Sequence, residues 1–177
     1  SFQTYYTRLA PSTVTNFSYL PYTGGQTGTN AVPFVTTNLG NADTTNDFWN
    51  KYLVDVSLNS TGVRINRTLS NATSLNIRVT VIEFGSSSVR VQKGSFSRAT
   101  PGKGTYVVIP TPVILSAAAL VFYYASNDST DDYTDNSIRA GFVNTTYINF
   151  TESASATSGL KNGSWYVFES LDGSFTV

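Results

Sequence analysis

Three residue types that serve much of protein chemistry are absent from this chain of 177 residues, which has no cysteine, no histidine and no methionine. Without cysteine and histidine the chain lacks the usual ligands of structural zinc, iron–sulfur clusters and haem. It also lacks the histidine base that activates a serine or cysteine nucleophile. We therefore expect no enzyme activity and no cofactor. Because even an initiator methionine is missing, we expect a mature or trimmed chain.

Charge is scarce as well: Asp, Glu, Lys and Arg make up 12% of the residues, and the net charge is zero. The eleven basic residues are scattered along the chain, whereas a nucleic-acid binder needs a basic stripe to displace counterions from phosphates. The longest apolar-rich run, residues 113–124, falls short of the roughly 20 residues of a membrane-spanning helix. We interpret it as a buried strand, and we expect neither a nucleic-acid partner nor a membrane span.

Aromatic residues, by contrast, are abundant at 14% of the chain, and serine and threonine together make up about a quarter of it. Aromatic and β-branched residues favour the half-buried surface of a pleated sheet. In residues 76–81 the apolar side chains fall at every second position, the pattern of a strand with one face inward. The sequence therefore predicts an all-β protein. The strands predicted in its second half are Val89–Phe96, Thr105–Ile109, Ile114–Tyr124, Ile138–Val143, Tyr147–Thr151 and Ser164–Glu169.

The chain contains an internal repeat with a shift of about 84 residues. Four pairs of similar segments follow one another in the same order in the two halves, and a period of this length suits a small β-sandwich. The sequence thus predicts two tandem duplicated antiparallel β-sandwich units, jelly-roll-like or immunoglobulin-like, over residues 11–84 and 85–177. The matched segments are residues 38–47 with 127–135, 54–58 with 138–142, 63–68 with 146–151, and 81–84 with 167–170.

Two short motifs in the second half carry a resemblance to a known family. The segment Val89-Arg-Val-Gln-Lys-Gly-Ser-Phe96 and the segment Trp165-Tyr-Val-Phe-Glu169 resemble the opening V-Q-x-G strand and the closing W-x-V-x-E strand of small β-sandwich repeats. These repeats occur in phage virion-surface and tail proteins and are distantly similar to H-type lectins. The first half keeps only Val81-Ile-Glu83 of this pattern. The resemblance implies a surface or fibre role in multiple copies, and its lectin side implies sugar binding.

Eight Asn-x-Ser/Thr sequences are candidate sites of asparagine-linked glycosylation, which would make covalent glycans a partner of the chain. The alternative is that Asn, Ser and Thr are simply the residues that turns use. Asn66 and Asn149 are expected to be equivalent positions of the two units. The candidate asparagines are Asn16, Asn59, Asn66, Asn71, Asn127, Asn144, Asn149 and Asn162.

Acidic residues cluster in a single polar stretch of the second half. Carboxylate oxygens crowded into a loop can hold calcium, although the spacing is not that of an EF-hand. The alternative is a solvated loop whose charges repel one another. The candidate calcium ligands are Asp128, Asp131, Asp132 and Asp135.

Aromatic residues in the two polar stretches, Phe48, Trp49 and Tyr133, are candidates for stacking on sugar rings. The alternative, which we favour, is that they cap the open end of a sandwich.

Residues 1–10 are rich in β-forming residues and precede the predicted repeat. A spare β segment can complete the sheet edge of a neighbouring subunit, which is the donor-strand mode of assembly. The candidate assembly residues are Phe2, Tyr5, Tyr6 and Leu9. The alternative is that this segment pairs within its own sandwich.

Together these patterns predict a non-enzymatic structural subunit of an extracellular multi-copy assembly, a secreted filament, a fibre or a virion surface. Its main partner would be itself, as a homo-oligomer or helical polymer joined by β-strand addition. The alternative is an adhesion module that binds a glycan or a receptor. Glu83 and Glu169 occupy equivalent places in different units, so nothing pairs them as catalytic carboxylates.

Overall fold

A computed structural model describes residues 1–10, 16–23, 27–39, 52–68, 74–98, 103–126, 137–152, 160–173 and 175–176. In this part of the chain twelve β-strands and a 3-10 helical turn, Leu115–Ala117, account for the regular structure. The predicted all-β class is therefore confirmed. The strands are β1 (Phe2–Leu9), β2 (Asn16–Pro21), β3 (Ala31–Leu39), β4 (Asp55–Leu58), β5 (Gly62–Arg67), β6 (Leu75–Glu83), β7 (Val89–Arg98), β8 (Thr105–Val108), β9 (Ala118–Ser126), β10 (Ile138–Asn144), β11 (Tyr147–Glu152) and β12 (Lys161–Ser170).

The strands form four antiparallel three-stranded sheets, in the orders β1-β6-β3, β2-β5-β4, β7-β12-β9 and β10-β11-β8. The order in β7–β12 repeats the order in β1–β6, because in each set the sixth strand lies between the first and third and the fifth between the second and fourth. We call β1–β6 unit 1 and β7–β12 unit 2. Each has six described strands, fewer than an immunoglobulin or jelly-roll domain. The repeated order fits the predicted duplication, whose origin in one ancestral unit stays a prediction.

β1 lies inside unit 1, which corrects the predicted boundary after residue 10. It pairs with β6 along its whole length, from Phe2 opposite Ile82 to Leu9 opposite Leu75. Because side chains alternate across a strand, Leu9 points into the core and is 3% exposed, whereas Phe2 points outward and is 75% exposed. The alternative considered for residues 1–10, pairing within their own sandwich, is thus the arrangement seen in the structure.

The core of unit 1 is built from alternate residues of its strands. In β6 every second side chain, from Leu75 to Val81, is buried, and these side chains pack with buried residues of β4 and β5 such as Val56 and Ile65. Full burial of each such side chain stabilises the fold by about 1.5–3 kcal/mol before entropy is counted. The alternation seen in the sequence therefore reports the inward face of β6 correctly.

The core of unit 2 is more aromatic. Phe96 of β7 and Phe150 of β11 stack with ring centroids 4.0 Å apart, which joins the two sheets of the unit. Trp165 of β12 is 2% exposed and lies in the same cluster. Its ring covers Gly94 on the neighbouring strand so closely that a Cβ added at Gly94 would lie 2.7 Å from Cζ2 of the indole.

The sheet β7-β12-β9 is buried on parts of both faces. Trp165 and Val167 point into the core of unit 2, while Tyr166 and Phe168 pack against the core of unit 1. The central strand β12 is consequently buried along most of its length. A strand covered on both sides reads as a continuous apolar run, and this explains the composition of the Trp-Tyr-Val-Phe motif.

Candidate functional site

Unit 2 packs against one open side of the unit 1 sandwich, and we call this contact the joint between the units. The hydroxyl of Tyr166 donates to the backbone carbonyl of Val56 at 3.0 Å and accepts from the backbone N–H of Leu58 at 2.9 Å. Both groups belong to the edge of β4 that has no neighbour among the described strands of its sheet. Tyr166 therefore satisfies the edge hydrogen bonds that an adjacent strand would otherwise make. Burial raises the pKa of Tyr166 far above its ordinary value.

Two further contacts hold the same joint. The Tyr123 hydroxyl donates to the carbonyl of Pro33 in β3 at 2.7 Å, and burial raises the pKa of Tyr123 to about 12. Asp55 of β4 hydrogen bonds to the side chain and backbone of Ser164, yet burial raises the pKa of the Asp55 carboxyl. Hydrogen bonds from hydroxyl groups and from the buried carboxyl of Asp55 thus fix unit 2 against the edges of β3 and β4.

The connection from β6 to β7 is fixed by Asn30, which lies just before β3. Its Nδ2 donates to the carbonyls of Phe84 at 3.1 Å and Val89 at 2.8 Å, and its Oδ1 accepts the N–H of Val91 at 2.8 Å. One side chain therefore uses three hydrogen bonds to hold the start of unit 2. This role had no signal in the sequence, because the spacing of Asn30 from its partners is about 55–60 residues.

The opening motif of unit 2 has a structural counterpart in unit 1. Gln92 and Gln3 both pair with the valine of the closing Val-x-Glu motif. Gln92 Nε2 donates to the carbonyl of Thr111 after β8 at 2.8 Å, and Gln3 Nε2 donates to the carbonyl of Thr23 after β2 at 2.5 Å. The opener that the sequence of the first half did not reveal is therefore Gln3, which anchors the segment after the second strand of its unit.

The closing glutamates also take one role in both units. Glu83 accepts the backbone N–H of Thr27 at 3.2 Å, and Glu169 accepts the backbone N–H of Ile114 at 2.7 Å. Thr27 and Ile114 each stand four residues before the third strand of their unit. Arg90 adds an ion pair to Glu169 at 2.5 Å. Both carboxylates thus tie a loop to the sheet.

Unit 2 also contains a buried group of charges that the sequence analysis missed. Glu152 lies between Arg98, whose Nε is 2.9 Å from Oε2, and Lys161, which binds Oε1. All three side chains are at most 2% exposed. Counting from the hairpins, the position of Glu152 in unit 1 is held by Arg67, which is also buried and whose pKa is lowered by that burial. The two units therefore close this end of the sandwich with different charges.

A cleft of about 530 Å³ lies on the outer face of the sheet β1-β6-β3. Tyr6 is 71% exposed there, and the guanidinium carbon of Arg78 lies 5.8 Å from the centroid of its ring. Arg8, the amides of Asn38 and Asn76 and the hydroxyls of Thr7, Thr36 and Thr37 also line it, and none of the described lining residues is acidic. By strand register the counterparts of the tyrosine and the two arginines in unit 2 are serines, namely Ser95, Ser97 and Ser164.

The candidate assembly residues divide by the alternation of β1. Tyr5 packs against the core of unit 1 together with the buried Leu9, whereas Phe2 and Tyr6 are exposed on the outer face. Two of the four candidates therefore face the core of unit 1, and the other two face outward. An exchanged strand would carry both sets with it.

The predicted metal and sugar-stacking residues lie outside the described residues. These are Asp128, Asp131, Asp132 and Asp135 for calcium, and Phe48, Trp49 and Tyr133 for stacking. Among the residues that the structure does describe, no group of three or more acidic side chains is placed to hold a metal ion. Nor does that part of the chain contain a helix long and apolar enough to cross a membrane.

The candidate glycosylation sites fall into different environments. Asn59 and Asn144 are exposed, while Asn66, Asn149 and Asn162 are half-buried within strands. Asn16 begins β2, and Asn71 and Asn127 lie outside the described residues.

Asn66 and Asn149 do not occupy equivalent positions in the strand register of the two units, so the expected equivalence is wrong. Counted from the hairpin that precedes each strand, Asn149 corresponds to Arg64, and Asn66 corresponds to Thr151. The shift between the units that aligns the two hairpins is two residues longer than the shift suggested by matching Ile65-Asn66 with Ile148-Asn149. Short motifs of common strand residues do not fix register, whereas turns do.

Comparison with protein-family models, with curated proteins and with solved structures finds no match to this chain. The resemblance to phage β-sandwich repeats therefore stays a prediction that rests on its two motifs.

Proposed function

We propose that the protein is a non-enzymatic structural subunit of an extracellular multi-copy assembly, joined by exchange of β1 between neighbouring copies. The observation that carries this proposal is the pairing of β1 with β6. β1 supplies a complete edge of the main sheet of unit 1 through eight consecutive residue pairs. Removing it would leave β6 as an edge with unpaired backbone groups, which is the kind of acceptor that strand addition fills.

The side chains of β1 support this proposal. Strand addition gains affinity from the backbone and specificity from alternate side chains that enter the acceptor core. On the inward face of β1, Leu9 is buried and Tyr5 packs with Tyr22, with ring centroids 6.5 Å apart. Gln3 adds hydrogen bonds to the segment after β2. These groups are the same whether β1 comes from its own chain or from a neighbour.

A truncated chain tests the proposal. A variant that lacks residues 1–10 is expected to remain dispersed, whereas the full chain forms filaments or fibres in electron micrographs. A peptide of residues 1–10 is expected to bind the truncated chain and raise its melting temperature. A matched peptide with Tyr5→Ser and Leu9→Ser is expected to do neither. Normal assembly of the truncated chain would overturn strand exchange.

A second candidate function is adhesion through an anionic glycan, and the cleft on the outer face of β1-β6-β3 favours it. An exposed tyrosine ring offers a stacking surface, and Arg8 and Arg78 supply positive charge, with no carboxylate among the described lining residues. A second copy of the chain is not expected to pack on this cleft in the way that unit 2 packs on unit 1. In such a complex Arg139 of the second copy would take the place of Asp55, and Arg78 would take the place of Ser164. Two arginines would then face each other.

An array of neutral and anionic oligosaccharides tests this second candidate. Binding confined to carboxylated or sulfated sugars, and lost in Arg78→Ala and Tyr6→Ala, is the expected result. Tyr106→Ala is the matched control, because Tyr106 is 63% exposed on unit 2, away from the cleft. Binding of neutral sugars by all variants alike would contradict a role for the cleft.

A further inference from the structure

Asn59 and Asn144 occupy the same turn in the two units. Asn59 follows β4 and starts the hairpin into β5, and Asn144 ends β10 and starts the hairpin into β11. Each asparagine stands in an Asn-x-Thr sequence, Asn59-Ser-Thr61 and Asn144-Thr-Thr146. Both asparagines are exposed. The two turns therefore present the same three-residue sequence at matching places of a repeated fold.

The hydrogen bonds of the two turns match closely. Oδ1 of Asn59 accepts the N–H of Thr61 at 2.8 Å, the hydroxyl of Thr61 at 3.0 Å and the N–H of Gly62 at 2.8 Å. Oδ1 of Asn144 accepts the N–H of Thr146 at 2.8 Å, the hydroxyl of Thr146 at 2.9 Å and the N–H of Tyr147 at 3.0 Å. Within the described structure the turn occupies only the oxygen of each amide, so Nδ2 remains available at the surface.

The other sequons with described side chains lie in central strands. Asn66 is in β5, Asn149 in β11 and Asn162 in β12, each of which has a neighbouring strand on both sides. All three are half-buried. The amide of Asn149 also packs on Gly104, where an added Cβ would lie 2.5 Å from Oδ1. A sugar at any of these positions would compete with packing that the sheets require.

We propose that, among the sequons whose side chains the structure describes, Asn59 and Asn144 carry asparagine-linked glycans and the three central-strand sequons do not. The inference rests on the extracellular placement in the proposed function, but not on strand exchange. The ligand class is an oligosaccharide transferred from a lipid diphosphate donor. Nδ2 forms the new bond to the anomeric carbon, the bond from that carbon to the phosphate oxygen breaks, and the amide loses one proton as the lipid diphosphate leaves.

Both turns have threonine at the third position of the sequon, although the flanking residues differ, with Leu58 and Gly62 in one turn and Val143 and Tyr147 in the other. Oδ1 accepts two backbone N–H groups in each turn, which is the bonding of an Asx-turn. The threonine hydroxyl adds a third bond to Oδ1, and that of Thr61 also accepts from Tyr19. The same threonine supplies the hydroxyl that an acceptor sequence requires.

The test secretes the full chain from a host cell that performs asparagine-linked glycosylation. The folded monomer is weighed by intact mass spectrometry, and each site is mapped after enzymatic release of glycans in heavy-oxygen water. Asn59→Gln and Asn144→Gln are each expected to remove one glycan mass, whereas Asn162→Gln removes none. Thr61→Val and Thr146→Val are expected to abolish the glycan on their own turn while the backbone hydrogen bonds to Oδ1 remain.

Unchanged mass in Asn59→Gln and Asn144→Gln would overturn the inference, as would a glycan mapped to Asn162 in the folded chain. Occupancy is read on the monomer, and filament formation is read separately by electron microscopy. Failure of strand exchange would therefore leave the glycan map unaffected, and an empty glycan map would leave strand exchange untouched.

Discussion

The hydroxyl of Tyr166 donates a hydrogen bond to the carbonyl of Val56 at 3.0 Å, although the two residues are 110 positions apart in sequence. This contact joins unit 2 to the exposed edge of β4 in unit 1. It shows how the chain closes one of its sheet edges internally, without a further strand.

Replacement of Tyr166 by phenylalanine is expected to destabilise the protein by about 1–3 kcal/mol, because it leaves the carbonyl of Val56 and the N–H of Leu58 buried without their partner. Urea denaturation measures the change. Tyr106→Phe is the matched control, since that residue is 63% exposed and its replacement should have little effect. Equal stability of the Tyr166→Phe variant and the parent would contradict the edge-closing role.

Asp55 is expected to make stability fall as the pH rises above the ordinary carboxyl pKa of 3.8, because burial raises its pKa in the folded state. Between the unfolded and folded pKa values the native protein binds more protons than the unfolded chain, so unfolding becomes easier with rising pH. Asp55→Asn lacks this effect. The free energy of unfolding of the variant, relative to the parent, should therefore increase as the pH rises from about 3, and level off once the pH exceeds the raised pKa of the folded state. A difference that stays constant or decreases over that range would show that Asp55 is not penalised by burial.

Glu152→Ala is expected to cost about 3–5 kcal/mol, because it leaves Arg98 and Lys161 buried without the anion between them. The simultaneous change of all three residues to leucine should be far less harmful, since a buried ion group can be replaced by apolar side chains at little cost. Leucine already stands at the counterparts of the two cations in unit 1, Leu9 and Leu75. Thermal unfolding of both variants tests this, and a triple variant as unstable as the single one would refute it.

Gly94→Ala is expected to destabilise unit 2 by about 1–3 kcal/mol, because the added Cβ would push against the indole of Trp165. Gly141→Ala is the control, as a Cβ at that strand position meets no atom within 4 Å. The tryptophan fluorescence spectrum, to which Trp49 and Trp165 both contribute, should shift in the first variant and stay unchanged in the second. Identical spectra and stabilities for the two variants would count against close packing of the ring on Gly94.

The sequence predicted the strand content of unit 2 well. All six strands predicted after residue 88 are present, but the third begins at Ala118 and not at Ile114, because Leu115–Ala117 forms a 3-10 turn. These strands could be predicted because the alternation of apolar residues and the turn residues between strands are local features of the sequence.

The placement of β1 was not predictable from the motif alone. Its opener, Phe2-Gln3-Thr4-Tyr5, keeps the glutamine of Val91-Gln92-Lys93-Gly94 but not the glycine. The glycine serves only unit 2, where Trp165 covers it, and the counterpart of that tryptophan in unit 1 is Val79. The joint between units, the buried charges and the cleft depend on contacts across sheets, for which a single sequence carries no periodic signal.

A disulfide across β1 and β6 tests the central claim of strand exchange most directly. The hydroxyl oxygens of Thr4 and Thr80 are 3.1 Å apart on opposed residues, and the chain has no cysteine of its own, so Thr4→Cys with Thr80→Cys introduces one defined pair. After assembly and oxidation, a denaturing gel without reductant should show a ladder of covalent oligomers that collapses on reduction. A single cross-linked monomer band at every concentration would contradict the account, because β1 would then belong to its own chain alone.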